Sequence, residues 1–327
     1  MDTDRPARRR RISARLQRLR ARLQVALPQA QRRASASALG LMLSATALAQ
    51  APIPAPELLA LIRDRSLPEI SGLAASRQHP GLLWVHNDSG YGPRIHAMDR
   101  RGRRLASIDV DGVAGIDIED LAAFERDGKH LLLLADTGDN GGRRSELELI
   151  VVEEPERITD GRLKPAWVQR FRWPDGARDV EAVAVDAVAG EVLLISKKRV
   201  PAELFRLALG PALPRQTAQR IGLLAGIEQP QPAELLGNPR FGSYRAQVTG
   251  ADLSPDGLQL AVLNYRRAHL YRRQPGEAWA TAVARPPQEL VFGWAAQAEA
   301  IAFDADGSAL LISGERLPAP LIRLPLR

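Results

Sequence analysis

The sequence predicts an all-β fold, a propeller of four-stranded antiparallel blades, and three observations point to it. First, one phrase recurs five times: a small or acidic residue, an apolar alternation, a Gly/Asp turn, a second apolar run and a polar cluster. The copies begin at Glu69-Ile70-Ser71-Gly72-Leu73, Asp117-Ile118-Glu119-Asp120-Leu121, Asp179-Val180-Glu181-Ala182-Val183, Gln247-Val248-Thr249-Gly250-Ala251 and Gln297-Ala298-Glu299-Ala300-Ile301. Repetition at tens of residues marks a modular architecture. Second, hairpin chemistry stands inside each copy, most plainly in Ser254-Pro255-Asp256-Gly257 and Asp304-Ala305-Asp306-Gly307. Third, 26 Gly and 24 Pro accompany few segments of helical period beyond the N-terminus, which suits many short strands joined by turns.

The elements follow in order. Glu57 to Ser66, with Leu58, Leu59, Leu61 and Ile62, is a strand or a short helix. The first strands of the repeats align on Leu73, Leu121, Val183, Ala251 and Ile301. The second strands align on Trp84-Val85-His86, Leu133-Leu134-Ala135, Leu194-Ile195-Ser196, Val262-Leu263 and Leu311-Ile312-Ser313. Third strands are expected at 94–98, 147–152, 204–207, 269–271 and 321–324, and weaker fourth strands at 104–110, 167–171, 220–224 and 289–292. The last repeat stops after three strands. Glu57 to Arg63 can supply the missing one, so that the ring closes without a free sheet edge. Five blades are expected; the stretch from Gln216 to Ala246 is long enough to conceal a degenerate sixth. Trp84, Trp167, Trp173 and Trp294 read as blade packing, Trp173 also as an exposed contact in the polar 172–175 stretch.

Composition restricts the function. The formal charge of +7 arises from residues 1–33, whose eleven Arg against Asp2 and Asp4 give +9 and leave the remainder at −2. No basic footprint for nucleic acid survives there. Arg32-Arg33, the apolar stretch 34–49 and its end Ala47-Leu48-Ala49 before Gln50 read as a signal peptide with an A-x-A cleavage site. The run is too short for a membrane span. Ile12, Leu16, Leu19, Leu23 and Leu27 lie at helical spacing among the arginines, so an over-extended start and a basic amphipathic helix on an anionic membrane are both open. The expected organisation is a leader over 1–49, a Pro linker over 50–56 and one propeller over 57–327, exported to the periplasm or beyond, monomeric, with a small-molecule ligand or an envelope protein as partner. Cysteine is absent, which excludes disulfides and thiolate sites.

The segment Ala251-Asp252-Leu253-Ser254-Pro255-Asp256-Gly257-Leu258-Gln259-Leu260-Ala261 resembles the blade motif of TolB-like and WD40-like propellers. The wider series, with Asn87-Asp88-Ser89-Gly90, Glu119-Asp120-Leu121 and Gly138-Asp139-Asn140, resembles exported bacterial propeller proteins without an established activity. In architecture the chain is similar to calcium-dependent lactonase and phosphotriesterase propellers, the gluconolactonase and paraoxonase group, and to esterase-like phytase domains. That similarity implies Ca²⁺ held by Glu, Asn and Asp in a central tunnel, although their ligand set finds no residue-by-residue match here.

In a blade the start of strand one lies beside the end of strand two. Glu69, Ser71, Asp117, Glu119, Asp179, Glu181, Thr249 and Glu299 therefore share a face with Asn87, Asp88, Asp136, Lys197, Lys198, Asn264 and Glu315. Strand one is innermost, so this face rims the channel. Oxygen donors in a ring suit a hard cation, and Asp117, Glu119, Asp136, Asp179, Glu181 and Glu299 are the expected Ca²⁺ ligands. Asn87, Asp88, Lys197, Lys198 and Asn264 are the expected ligand-binding residues; for hydrolysis, Glu119, Glu181 or His86 would serve as base. Turn and cap roles compete for each single Asp or Asn. Asp136-Thr137-Gly138-Asp139-Asn140-Gly141-Gly142 is either a long turn or a loop at the channel mouth. The five His show no zinc spacing, and no G-x-S-x-G, P-loop or dinucleotide fingerprint occurs. The two functions expected are a cation-binding or ligand-binding propeller and a Ca²⁺-dependent hydrolase of lactones, esters or phosphoesters.

Overall fold

The five apolar phrases become the innermost strands of five blades. The computed structural model describes residues 55–326; the expected leader, its cleavage site and most of the Pro linker lie outside them. The chain opens with β1 (Glu57–Ile62). Blade one is β2 (Ile70–Ala75), β3 (Leu82–Asn87), β4 (Arg94–Asp99) and β5 (Arg104–Val110). Blade two is β6 (Ile118–Arg126), β7 (Lys129–Asp136), β8 (Leu147–Glu153) and, after a short β9 (Gly161–Leu163), β10 (Trp167–Arg172). Blade three is β11 (Val180–Asp186), β12 (Glu191–Ser196), β13 (Glu203–Ala208) and, after a short β14 (Gln216–Thr217), β15 (Gln219–Leu223). Blade four is β16 (Val248–Leu253), β17 (Gln259–Asn264), β18 (Ala268–Arg272) and β19 (Gln288–Leu290). Blade five is β20 (Ala298–Phe303), β21 (Ala309–Gly314) and β22 (Ala319–Pro325), completed by β1.

The closing pair runs antiparallel, from Glu57 opposite Arg323 to Ile62 opposite Ala319. Glu57 to Ile62 is thus a strand, not a helix, and it covers the edge of β22. The stretch after Gln216 holds no sixth blade. It gives β14, β15, a short helix at Pro232–Gly237 and a 3₁₀ turn at Gly242–Tyr244. Two blades carry a fifth strand that the repeat did not predict: β9 pairs parallel with β5, and β14 parallel with β10. Both come from long connections between the third and fourth strands of the following blade, laid along the previous blade's outer edge.

The core is divided among five seams between adjacent blades. Trp84 is fully buried between blades one and two, and its indole N–H donates to Glu154 at 3.0 Å. Trp173 is buried against Phe171 and Phe205 with centroids 5.2 and 5.0 Å away, edge to face. Trp294, expected in the packing, is instead 75% exposed. The predicted hairpins hold: Gly257 N–H and Gly307 N–H return to Ser254 and Asp304 carbonyls at 2.8 Å, with both glycines at positive φ.

Buried carboxylates tie the blades across the axis. Asp120 is fully buried. One oxygen accepts the Leu121 N–H at 2.8 Å, and the other accepts Val183 N–H of blade three at 2.8 Å and Ala251 N–H of blade four at 3.2 Å. Asp252 takes Leu253 N–H and Phe303 N–H, both at 2.8 Å, and so joins blades four and five. Among the described residues no helix is long and apolar enough to cross a membrane.

Candidate functional site

Every innermost strand carries a register shift at the same place. The pairing skips one residue between Ile70 and Gly72, Ile118 and Asp120, Val180 and Ala182, Val248 and Gly250, and Ala298 and Ala300. The extra residues are Ser71, Glu119, Glu181, Thr249 and Glu299. A bulge re-aims the side chain it carries, so the repeat presents one residue per blade at the channel. Two of the five have a structural task. Ser71 donates to the Glu119 carbonyl of the next blade at 2.7 Å, and Thr249 to the Ala298 carbonyl of the next blade at 2.8 Å. In blade two Thr137 does this, donating to the Val180 carbonyl at 2.8 Å. The three glutamates lack a hydroxyl to donate, and the carboxylates of two of them, Glu119 and Glu181, lie together.

Two sets of carboxylates lie with one ligand atom from each within 4.8 Å of the others: Asp88, Asp117 and Glu119, and Glu119, Asp179 and Glu181. Glu119 belongs to both. The sets differ in compensation. Lys197 pairs with Glu181, and Lys198 with Asp179 at 2.9 Å. In the first set Asp88 accepts from the adjacent Ser89 N–H at 2.6 Å. Among the described residues the carboxylates of Asp117 and Glu119 accept no hydrogen bond and pair with no cation, although Glu119 is only 2% exposed. Burial, then the charges of Glu181, Asp88 and Asp117, push the Glu119 carboxyl well above its ordinary range, against the pull of Lys197. Burial, then Asp88 and Asp179, push Asp117 up, with Arg144 opposing. Burial alone would discharge Lys197, but the surrounding Glu181, Glu299 and Glu119 hold it charged.

The glycine-rich loop after β7 wraps this site. A Cβ at Gly138 would overlap the carboxylates of both Glu119 and Asp117, so glycine lets the loop pack directly against them and any larger residue would displace them. Gly138 N–H donates to the Asp117 carbonyl at 3.1 Å, and Asp139 N–H to Asp179 at 2.9 Å. Asp136 accepts the N–H groups of Asp117 and Ile116 at 2.9 and 3.3 Å and pairs with Arg144 at 2.8 Å. It positions the segment bearing Asp117 and lies outside both carboxylate sets. Arg144 also donates to the Gly138 carbonyl at 2.9 Å. Sequence reasoning missed Arg144, because its link to Asp136 crosses a loop with no fixed spacing.

The other expected residues take separate places. Glu299 lies outside both sets; it accepts the Tyr265 hydroxyl at 2.5 Å. Asn87 is a spacer, accepting Glu69 N–H at 3.3 Å and donating to the Ser66 carbonyl at 2.8 Å. Asn264 caps a turn through Arg266 and Arg267 N–H groups, both at 2.9 Å. His86 is buried over Gly72, where a Cβ would collide with its ring, and its Nδ1 lies 2.8 Å from the Asn87 carbonyl. Burial pushes its pKa down, which keeps it neutral; it belongs to neither carboxylate set.

The raised carboxyls have a consequence for metal-free protein. Burial and Glu299 raise Glu315 to about 8, and Glu119 is also raised. Such groups hold more protons folded than unfolded, so their stabilisation is present at low pH and is lost as pH rises through the folded pKa. The buried His86, His96 and His269, all lowered, act in the opposite sense below pH 6.5. The clean window is therefore pH 6.5 to 8, where the thermal midpoint of chelator-treated protein is expected to fall. A flat or rising midpoint there contradicts this charge balance.

No family model matches the chain, and no curated protein matches it. Among solved structures it is similar to Raptor of Chaetomium thermophilum, with 17% identity and a TM-score of 0.39, covering 80% of this chain and 20% of that one. It therefore spans a fifth of that chain's length. It is also similar to the PQQ-bound form of aldose sugar dehydrogenase from Streptomyces coelicolor, with 14% identity and a TM-score of 0.42, covering 84% and 99%. A chain of a mitotic checkpoint complex gives 13% identity and 0.37, covering 77% and 60%. Likeness at these scores assigns no ligand and no activity.

Proposed function

We propose that the protein binds one divalent cation, calcium, at Asp88, Asp117 and Glu119 in the mouth of the channel. The observation that carries this reading is the difference between the two carboxylate sets. They share Glu119, but direct lysine ion pairs are made only to Asp179 and Glu181. Three converging carboxylates without a cation repel one another, and a hard ion relieves that repulsion. All-oxygen donors of mixed burial match calcium, whose six to eight ligands leave positions for water or a bound molecule. The expected small-molecule ligand fills those positions. The export signal expected in the leader belongs to the same reading, since extracellular calcium modules work at Kd values of about 10⁻⁴–10⁻³ M.

The test is a thermal melt of chelator-stripped protein with and without calcium. Ligand at 100 times Kd adds about 2.7 kcal/mol, which for a domain of this size raises the midpoint by about 5 °C. A midpoint indifferent to calcium refutes the reading. A second reading, a calcium-dependent hydrolase of lactones, esters or phosphoesters, is favoured by the Lys197 ammonium, which Glu181 holds beside the cation set where it can stabilise developing negative charge. Calcium-dependent turnover of one of those substrate classes supports it; calcium binding without turnover leaves the binding function alone.

A further inference from the structure

Beside the carboxylate sets, on the same face, opens a cavity of about 310 Å³ that shares Asp179 with them. It lies between the 139–142 loop of blade two and the segments 177–179 and 196–199 of blade three. Its volume is at the lower end of small-molecule sites, about 300–1,000 Å³. Its acids are engaged within the fold. Asp139 accepts Arg143 N–H at 2.7 Å on one oxygen and Arg144 N–H at 3.0 Å on the other. Asp179 accepts Asp139 N–H on one oxygen, and the other meets the Lys198 ammonium as an ion pair without hydrogen-bond geometry.

Its charges balance, Arg178, Lys198, Arg199 and Arg220 against Asp139, Asp175, Asp179 and Glu203, but its donors are not all used. Glu203, directly behind the cavity, receives three guanidinium groups: Arg178 at 2.8 Å, Arg199 at 3.2 Å and Arg220 at 3.2 Å. Three guanidinium groups converge on one carboxylate, whose two oxygens cannot engage all their donors. Arg178 is consumed by Glu203, Asp175 and the Gly176 carbonyl. Arg199 approaches Glu203 at Nε, and among the described residues its two Nη groups make no hydrogen bond. Lys198 reaches Asp179 and the Asn140 side chain, the latter at 2.8 Å, and stays 44% exposed. A guanidinium fork and an ammonium beside one cavity are donors for a doubly charged oxyanion.

We propose that this cavity is an oxyanion subsite that seats a phosphate group, held by the Nη donors of Arg199 and by Lys198. The phosphate belongs to a small molecule whose remaining oxygens reach the cation at Asp88, Asp117 and Glu119. That second contact rests on the calcium reading; the phosphate contact does not.

The test is calorimetric titration of inorganic phosphate into calcium-free, chelator-treated full-length protein, with acetate as comparator. Saturable one-to-one phosphate binding is expected, weakened by about tenfold or more in the Lys198→Ala/Arg199→Ala double variant. Both side chains are about half exposed, so the variant keeps its fold, as its thermal midpoint will report. Absence of saturable phosphate binding, equal binding in the double variant, or acetate binding as tightly as phosphate each overturns the assignment. Because calcium is absent, the outcome is independent of the metal: calcium binding without phosphate binding refutes the subsite alone, and phosphate binding without calcium binding refutes the cation reading alone.

Discussion

Glu119→Gln is expected to abolish calcium binding while raising the thermal midpoint of the metal-free protein. The two effects have one cause. Glu119 stands in both carboxylate sets, and its carboxyl is raised by burial and by three neighbouring acids. At neutral pH the metal-free protein either confines that charge against its neighbours or takes up a proton, and both are costly. Glutamine keeps the shape and removes the charge, so repulsion falls and the apo protein gains on the order of 1 kcal/mol. The same change removes the ligand between the sets, and calcium affinity falls by about a hundredfold or more. Calorimetric calcium titration and an apo melt measure both. A variant that binds calcium normally removes Glu119 from the site; one that is destabilised without metal shows that the glutamate has a structural partner.

Asp120→Ala has the largest expected effect on folding. Its carboxylate satisfies three buried N–H groups on three blades. Alanine leaves all three unpaired next to the axis, where water has little access, at about 1–3 kcal/mol each. Relief from burying the acid, whose pKa burial pushes well up, offsets part of this. The expected net loss is about 3–5 kcal/mol, a large share of a typical domain's stability. Asp120→Asn keeps one acceptor and is expected to lose roughly half as much. Denaturant midpoints give the ranking, and an alanine variant of wild-type stability contradicts the cross-blade role.

Much of this architecture was legible in the chain. The copies beginning at Glu69, Asp117, Asp179, Gln247 and Gln297 read correctly because period-two alternation writes a buried inner strand directly into sequence. The closing role of Glu57–Ile62 followed from a last repeat that was one strand short. The extra strands β9 and β14 were not legible. Edge pairing of two or three residues needs no pattern of its own, only a neighbouring edge. Trp294 shows the same gap: an aromatic in a turn-rich stretch carries no mark of which side of the surface it will occupy.

The site was legible in part, for a geometric reason. Register identified the position shared by Ser71, Glu119, Glu181, Thr249 and Glu299, but not the bulge that turns it to the channel. The uneven chemistry at that position divides: the hydroxyls of Ser71 and Thr249 stitch neighbouring blades, the carboxylates of Glu119 and Glu181 converge, and Glu299 turns to Tyr265. Asp136 and Asp117 looked alike in sequence. Arg144 and two backbone N–H groups occupy Asp136, whereas Asp117 is left without a partner, and only three-dimensional proximity distinguishes them.

The most direct measurement is an anomalous difference map from crystals grown with terbium, a hard, oxygen-seeking stand-in for calcium. The account predicts its strongest peak at about 2.3–2.6 Å from carboxylate oxygens of Asp88, Asp117 and Glu119, with Lys197 and Lys198 still on Glu181 and Asp179. A strongest peak at Asp136 or Glu299, or none among the channel carboxylates, contradicts it.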